Sequence, residues 1–249
     1  MKSTLISALI ALAALPATAG LTYDFHTSTT GMQASEQRGH VSVDGANVRM
    51  EFTAGDGAMI GNGAVMLTHN GGTTIAVLDP EAKTYWEVDV AKLTAGPLAN
   101  MLAMTNQKVN VKDAGDGGAL ESFPTRHKIV TASADMSIGG GPAAMHFELT
   151  MESWATEKIP TDAAAFLQRR LGNTGLPMLD KLIAAQSESV KGFPLKQITY
   201  MKVTGPASME MTSTTTVSNV KKATVAPAQF EIPKDYKKTE SPLDKMMPQ

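Results

Sequence analysis

Met145-His146-Phe147-Glu148-Leu149-Thr150-Met151-Glu152 decides how this chain is read. Four apolar residues alternate with four polar ones, a period of two that gives an extended segment one greasy and one wet face. An antiparallel sheet with one face on a core has that pattern. The same period recurs on both sides. Upstream, Val41 and Val43 alternate with Ser42 and Asp44, Asp44-Gly45 signals a hairpin turn, and Val48, Met50 and Phe52 alternate with Arg49 and Glu51. Asn70-Gly71-Gly72 separates Val65-Met66-Leu67 from Thr74-Ile75-Ala76-Val77-Leu78, and Asp79-Pro80 leads into Thr84-Tyr85-Trp86-Glu87. Nearer the core stretch, strand character at 107–112 gives way to a Gly-rich turn at 113–118 and resumes at 120–132. Gly139-Gly140-Gly141-Pro142 is the next loop, and two last strands are predicted at 193–204 and 207–221.

Helical periodicity interrupts this meander twice. Gly96-Pro97 puts proline at a first helical position, with Leu98, Met101 and Leu102 at i, i+3 and i+4. A longer insertion spans 161–191. Thr161 is its N-cap, Gly172 stops a first helix, and a second opens at Pro177, carries Leu179, Leu182, Ile183, Gln186 and Val190 along one stripe and ends at Gly192. A sheet with one apolar face must hide it, and these helices are the available covers. The expected fold is α+β: a curved antiparallel sheet, or half-barrel, covered by a few helices.

The first 19 residues are an export signal. Lys2 supplies the charge, residues 5–15 the short apolar run, Pro16 the break, and Ala17-Thr18-Ala19 the small-residue cleavage pattern. That run is shorter than the about 20 residues a membrane span needs, and charges or glycines interrupt every later apolar stretch. Cleavage near Ala19 leaves a periplasmic or secreted protein without membrane insertion. Its expected organisation is a single half-barrel domain with a helical lid over 20–225 and a partly disordered Pro- and Lys-rich tail over 226–249. The chain has 249 residues and a formal charge of -2, with no basic excess, which argues against nucleic-acid binding. It has no cysteine, which excludes disulfides, thiolate chemistry and an acylated N-terminal cysteine.

Several short motifs carry a family resemblance. Glu152-Ser153-Trp154 closes one strand, Gly192-Phe193-Pro194 opens another, and Phe230-Glu231-Ile232-Pro233-Lys234-Asp235-Tyr236 lies near the end. With the Val41-Ser42-Val43-Asp44-Gly45 hairpin and Val48-Arg49-Met50-Glu51, they resemble an uncharacterised family of exported bacterial proteins. That family is similar to the outer-membrane lipoprotein carrier and receptor proteins. The resemblance runs from about Thr22 to Lys237 and implies an incomplete β-barrel with a helical lid, whose apolar cavity holds acyl chains.

No catalytic or metal motif accompanies it. His26, His40, His69, His127 and His146 show no ligand spacing, and the Asp113–Gly118 run lacks the carboxylate pattern of a calcium loop. Met209-x-Met211 and Met246-Met247 raise soft-metal chemistry, but same-face core packing gives the same spacing. No Gly-x-Ser-x-Gly elbow and no phosphate loop occurs. Beyond Met1 there are 15 methionines against 13 Phe, Tyr and Trp residues. Flexible, polarisable thioethers suit a surface that adapts to a flexible ligand. The expectation is therefore an exported, non-catalytic protein without a cofactor, holding a lipid or other apolar ligand. The lining candidates are Met50, Phe52, Phe147, Leu149, Met151, Met209 and Met211 on strands, with Leu179, Leu182 and Ile183 as lid partners. The alternatives are an envelope structural or protein-interaction module without a small ligand, and a hydrolase whose site is not recognisable from sequence.

Overall fold

The structure, a computed structural model, describes residues 20–31, 34–55, 61–69, 74–89, 102–138, 145–159, 184, 192–206 and 208–242. Eleven of its strands are β1 (Gly20–Gly31), β2 (Ser35–Asp44), β3 (Asn47–Gly55), β4 (Val65–His69), β5 (Thr74–Asp79), β6 (Thr84–Asp89), β7 (Leu102–Leu120), β8 (Phe123–Ile138), β9 (Met145–Thr156), β10 (Phe193–Thr204) and β11 (Met209–Ala223). A 3-10 turn at Pro227–Phe230 and the two-residue β12 (Lys237–Lys238) follow. All twelve strands join one sheet in the order β12-β6-β5-β4-β3-β2-β1-β11-β10-β9-β8-β7. Two antiparallel meanders, β1–β6 and β7–β11, meet where β1 pairs with β11; only β12 runs parallel to its neighbour, β6.

This corrects the α+β expectation. The described residues form one twelve-stranded sheet and a short 3-10 turn, with no α-helical element covering the sheet, so the class is all-β. The expected helices at 96–102 and 161–191, including Leu179, Leu182 and Ile183, fall almost wholly outside the described residues; Leu102 is the first residue of β7.

The Gly-rich run 113–118 is a second correction. It is no turn: β7 passes straight through it, with register shifts at Asp113/Gly115 and Asp116/Ala119. Gly115 and Gly118 sit at φ +93° and +76°, and the carboxylates of Asp113 and Asp116 accept hydrogen bonds from their N–H groups at 2.8 Å. Bulges absorb left-handed residues without reversing the chain. The reversal comes at Glu121-Ser122, both at positive φ, between the paired Leu120 and Phe123. The chain reverses at Asp44-Gly45 and after Asp79-Pro80 as expected, while the expected turns at Asn70-Gly71-Gly72 and Gly139-Gly140-Gly141-Pro142 lie outside the described residues. After Asp44, for example, the turn is pinned from β4 by Thr68, whose hydroxyl accepts from Val48 N–H and donates to the Ala46 carbonyl.

The sheet is curled, and the chain itself requires it. Residues 90–101 join β6 to β7, which stand ten strand positions apart. A flat sheet would separate them by about 48 Å, beyond the roughly 43–47 Å that so short a segment reaches when fully extended. Side chains register the same curl: the rings of Tyr23 on β1 and Phe193 on β10 touch edge-on at 5.1 Å, across the intervening β11. The face carrying Tyr23 is therefore the inner face.

Both faces bury apolar residues, in different places. On the inner face Val41, Val43 and Val48 pack with Leu21, Tyr23, Phe25 and Met50. Further round, Val130, Ala132, Ala134 and Met151 pack with Met104, Val109, Phe147 and Leu149. On the outer face of β4 and β5, Val65, Leu67, Ala76 and Leu78 are buried against Tyr85, Ile232 and Tyr236. The C-terminal segment supplies that cover. The tail expected to be partly disordered is described to residue 242, and this part is packed. Phe230 is buried, the Gln229 carbonyl accepts from Arg49, and Lys237–Lys238 pair beside Thr84 and Tyr85. Lys83 and Asp235 pair at 2.7 Å, and Lys238 pairs with Glu87.

Candidate functional site

Cross-strand partners share a face, so the registers sort the sheet's residues into inner and outer sets. Met50 lies opposite Met66 and Val41; Met201 opposite Met211 and Leu149; Met145 opposite Met136; Met151 opposite Val130. Thus Met50, Met66, Met145, Met151, Met201, Met209 and Met211 all stand on the inner face. So do Phe52, Phe147 and Leu149. The seven strand residues expected to line a ligand surface lie on one side of the sheet, but in two groups.

The first group builds a pocket. Strands β1, β2, β3, β10 and β11 enclose a space of about 440 Å³. Met50 and Phe52 line it, with Tyr23, Phe25, Val41, Val43, Val48, Phe193, Leu195 and Val217. Its floor depends on a glycine. Gly39 lies between Phe25 and Phe52 in register, and with no side chain there the two rings meet across it, edge to face at 5.6 Å. A Cβ on Gly39 would stand 2.6 Å from the Phe25 ring. The second group, Phe147, Leu149 and Met151, belongs to the Val130–Ala132–Ala134 cluster on β8 and β9. Met209 and Met211 stand between the groups in the sheet order, on β11 opposite Val203 and Met201.

Sequence reading missed the aromatic wall. Tyr23, Phe25 and Phe193 line the pocket beside its one methionine, Met50, and the signal was available: Leu21, Tyr23, Phe25 and Thr27 alternate with Thr22, Asp24 and His26.

Burial pushes the Tyr23 phenol up from 10.0 to about 12, because the phenolate would lose water. Below pH 10 the folded and unfolded chains both keep this proton, so it does not affect stability. Between about 10 and 12 the unfolded chain releases it first, so stability falls with rising pH by about 1.4 kcal/mol per unit. Tyr23→Phe is expected to remove one tyrosinate absorbance step centred near 12 and to flatten the urea midpoint over that window. An unchanged titration would contradict this placement.

The outer face is polar over β7–β11 and holds a larger hollow of about 630 Å³, bordered by Asn110, Thr131, Thr150, Tyr200 and Lys202. Its charges already answer each other. Lys202 pairs with Glu210 at 2.8 Å, which holds the Glu210 carboxyl below its ordinary range. The histidines of this face pair too: His40 with Asp24 at 2.8 Å, His146 with Asp135 at 2.7 Å, and His127 with Glu152 at 2.9 Å while stacked on Trp154 at 4.2 Å. Hydrogen bonds from the Asn106 amide and from His146 keep Asp135 below the usual carboxylate range. Among the described residues no group of three or more His, Asp or Glu side chains is placed to hold a metal ion. Ser153 is buried and its hydroxyl has no hydrogen-bond partner among them, so it lacks the adjacent base that activates a serine nucleophile. No helix among them is long and apolar enough to cross a membrane.

A curled, twelve-stranded, mainly antiparallel sheet with an apolar inner pocket is the architecture these observations define. Residues 27–236 match the DUF4412 family, described as a domain of unknown function, and the chain belongs to that family. No curated protein matches it. Among solved structures it is similar to an uncharacterized conserved protein from Thermus thermophilus, at 10% identity and a TM-score of 0.41, covering 90% of this chain and 91% of that one. A LolA superfamily protein from Nitrosomonas europaea, NE2245, is also similar, at 10% identity and a TM-score of 0.34, with 87% and 91% covered. PNGF-II matches at 10% identity and a TM-score of 0.38; the alignment covers 91% of this chain and 32% of that one.

Proposed function

We propose that this is an exported, non-catalytic binding protein that holds a lipid or acyl chain against the inner face of its sheet, in the periplasm or outside the cell. One observation carries the reading: the aromatic, valine and methionine side chains of five strands converge on one pocket of about 440 Å³. That volume falls within the roughly 300–1,000 Å³ of small-molecule sites, and its predominantly apolar wall is what such sites present. The neighbouring methionines extend the surface with side chains that conform to a flexible chain. Export rests on residues 2–19, with cleavage near Ala19.

Displacement of a fluorescent fatty acid from the full chain tests it. Binding is expected at micromolar concentration, and Phe25→Ala with Phe52→Ala is expected to weaken it on the order of tenfold, about 1.4 kcal/mol. Tyr200→Ala, on the outer face, is expected to leave it unchanged. Absence of binding by any lipid at micromolar concentration would refute the reading.

The end strand β7 supports a second one. It is 19 residues long, and among the described strands it has a neighbour on one side only. An envelope protein adding a strand there would make the chain an interaction module. Capture of such a partner, lost on bulge-forming substitutions in β7 and unaccompanied by lipid binding, would favour that reading.

A further inference from the structure

The registers reveal a polar row across the inner face that the pocket alone does not explain. Gln37 lies opposite Thr27, Thr27 opposite Thr215, Thr215 opposite Gln197, and Gln197 opposite Ser153. The row continues through Lys128 to Asp113, so that β2, β1, β11, β10, β9, β8 and β7 contribute one residue each. On one side lies the aromatic row of Phe52, Gly39, Phe25 and Val217. Two rows away on the other side stand Met211, Met201, Leu149, Ala132 and Val109. Between them lie Thr29, Ser213 and Thr199 beside Met151, Val130 and Val111, so a polar band, two rows deep over β1, β11 and β10, crosses the inner face.

Such a band is costly unless something satisfies it, because half-buried polar groups lose water without replacement. Part of it is satisfied internally. The hydroxyls of Thr27 and Thr215 bond each other at 2.9 Å, which uses one of their two protons in that bond. At the far end Asp113 accepts from Lys128 at 2.7 Å and from Arg126 at 2.9 Å, and these bonds hold its carboxyl well below the usual range. Ser153 is the exception. It is 2% exposed, and its hydroxyl has no partner among the described residues. Gln37, Thr27, Thr215 and Gln197 border the apolar pocket itself and are uncharged; the one charged residue in its lining, Lys196, carries its ammonium over the Trp154 ring at 4.8 Å.

We propose that this row receives the uncharged, hydroxyl-bearing headgroup of an amphiphile whose acyl chain lies against Tyr23, Phe25 and Phe52, as in a monoacylglycerol. The assignment rests on the lipid-binding reading and specifies its ligand class. Amides and hydroxyls both donate and accept, matching a group that also does both. A carboxylate headgroup would bring a charge into a neutral part of the row at a desolvation cost.

Three probes of equal chain length test it on the full protein: 1-oleoylglycerol, oleate and methyl oleate. The glycerol ester is expected to bind about tenfold more tightly than either of the others. Thr215→Val with Gln197→Leu is expected to abolish that preference while keeping affinity for methyl oleate. Equal affinity for all three probes, or a preference unaltered in the variant, would overturn the headgroup assignment and leave the pocket reading standing. Failure of all three to bind would overturn both.

Discussion

A chain ending at Ala223 is expected to lose on the order of 5 kcal/mol of stability, enough to unfold many domains of this size. The reason is the outer face of β4 and β5. Val65, Leu67, Ala76 and Leu78 are between 0% and 6% exposed there. Leu67 and Leu78 are among the most completely buried side chains of the described residues. Ile232 and Tyr236 pack directly on them, and Val225 and Phe230 are themselves buried. Burying one such side chain contributes about 1.5–3 kcal/mol, so removing four would cost more than the stated figure before the unfolded chain's own compactness is discounted. The Lys83–Asp235 ion pair is largely exposed and adds little. Urea denaturation of the truncated and full-length chains gives the difference. A loss below about 1 kcal/mol would show that the segment is not a structural cover. Lys83→Met is expected to change the midpoint barely at all.

Gly39→Ala is expected to damage stability and the pocket together. A Cβ built there lies 2.1 Å from the Glu51 carbonyl oxygen, a backbone atom that cannot swing aside, as well as 2.6 Å from the Phe25 ring. Relief requires β2 and β3 to separate or the Phe25–Phe52 contact to break. Overpacking of this kind costs about 1–3 kcal/mol, and the loss of the ring contact adds about 1 kcal/mol. The same change projects into the pocket floor, so fatty-acid displacement is expected to weaken together with stability. Gly61→Ala is the control: no atom lies within 4 Å of its added Cβ and its φ is not in the left-handed range, so the thermal midpoint is expected to stay within measurement error. A tolerated Gly39→Ala would mean that the two strands are not held as described.

What the sequence made legible was periodicity. Met145–Glu152 and Val41–Phe52 alternate cleanly because one of their faces is wet, and both formed strands with the expected residues on a common side. The expected 193–204 strand coincides with β10. Legibility failed where the physics was not local. Val65-Met66-Leu67 and Ala76-Val77-Leu78 are apolar without alternation, the mark of strands buried on both faces. Their second cover comes from residues more than 140 positions later, which no short window connects. The 113–118 run carries two left-handed glycines, and their spacing signals a reversal and a pair of bulges equally well. The pocket was half legible. Met50 and Phe52 were found by their alternation, while Tyr23, Phe25 and Phe193 acquire their role only because β10 curls toward β1 across β11.

That junction between β1 and β11 has a kinetic consequence. Thr27 and Thr215 bond each other over a sequence separation of 188, and every rung from Leu21 to Gly31 is comparably remote. The first meander closes through local hairpins and the second also needs the 157–192 connection between β9 and β10, but the central seam waits for the last long strand. Topologies dominated by such distant contacts fold in milliseconds to seconds rather than microseconds. Until then the aromatic half of the inner surface lacks β10 and β11, and the chain remains two ribbons with unjoined edges.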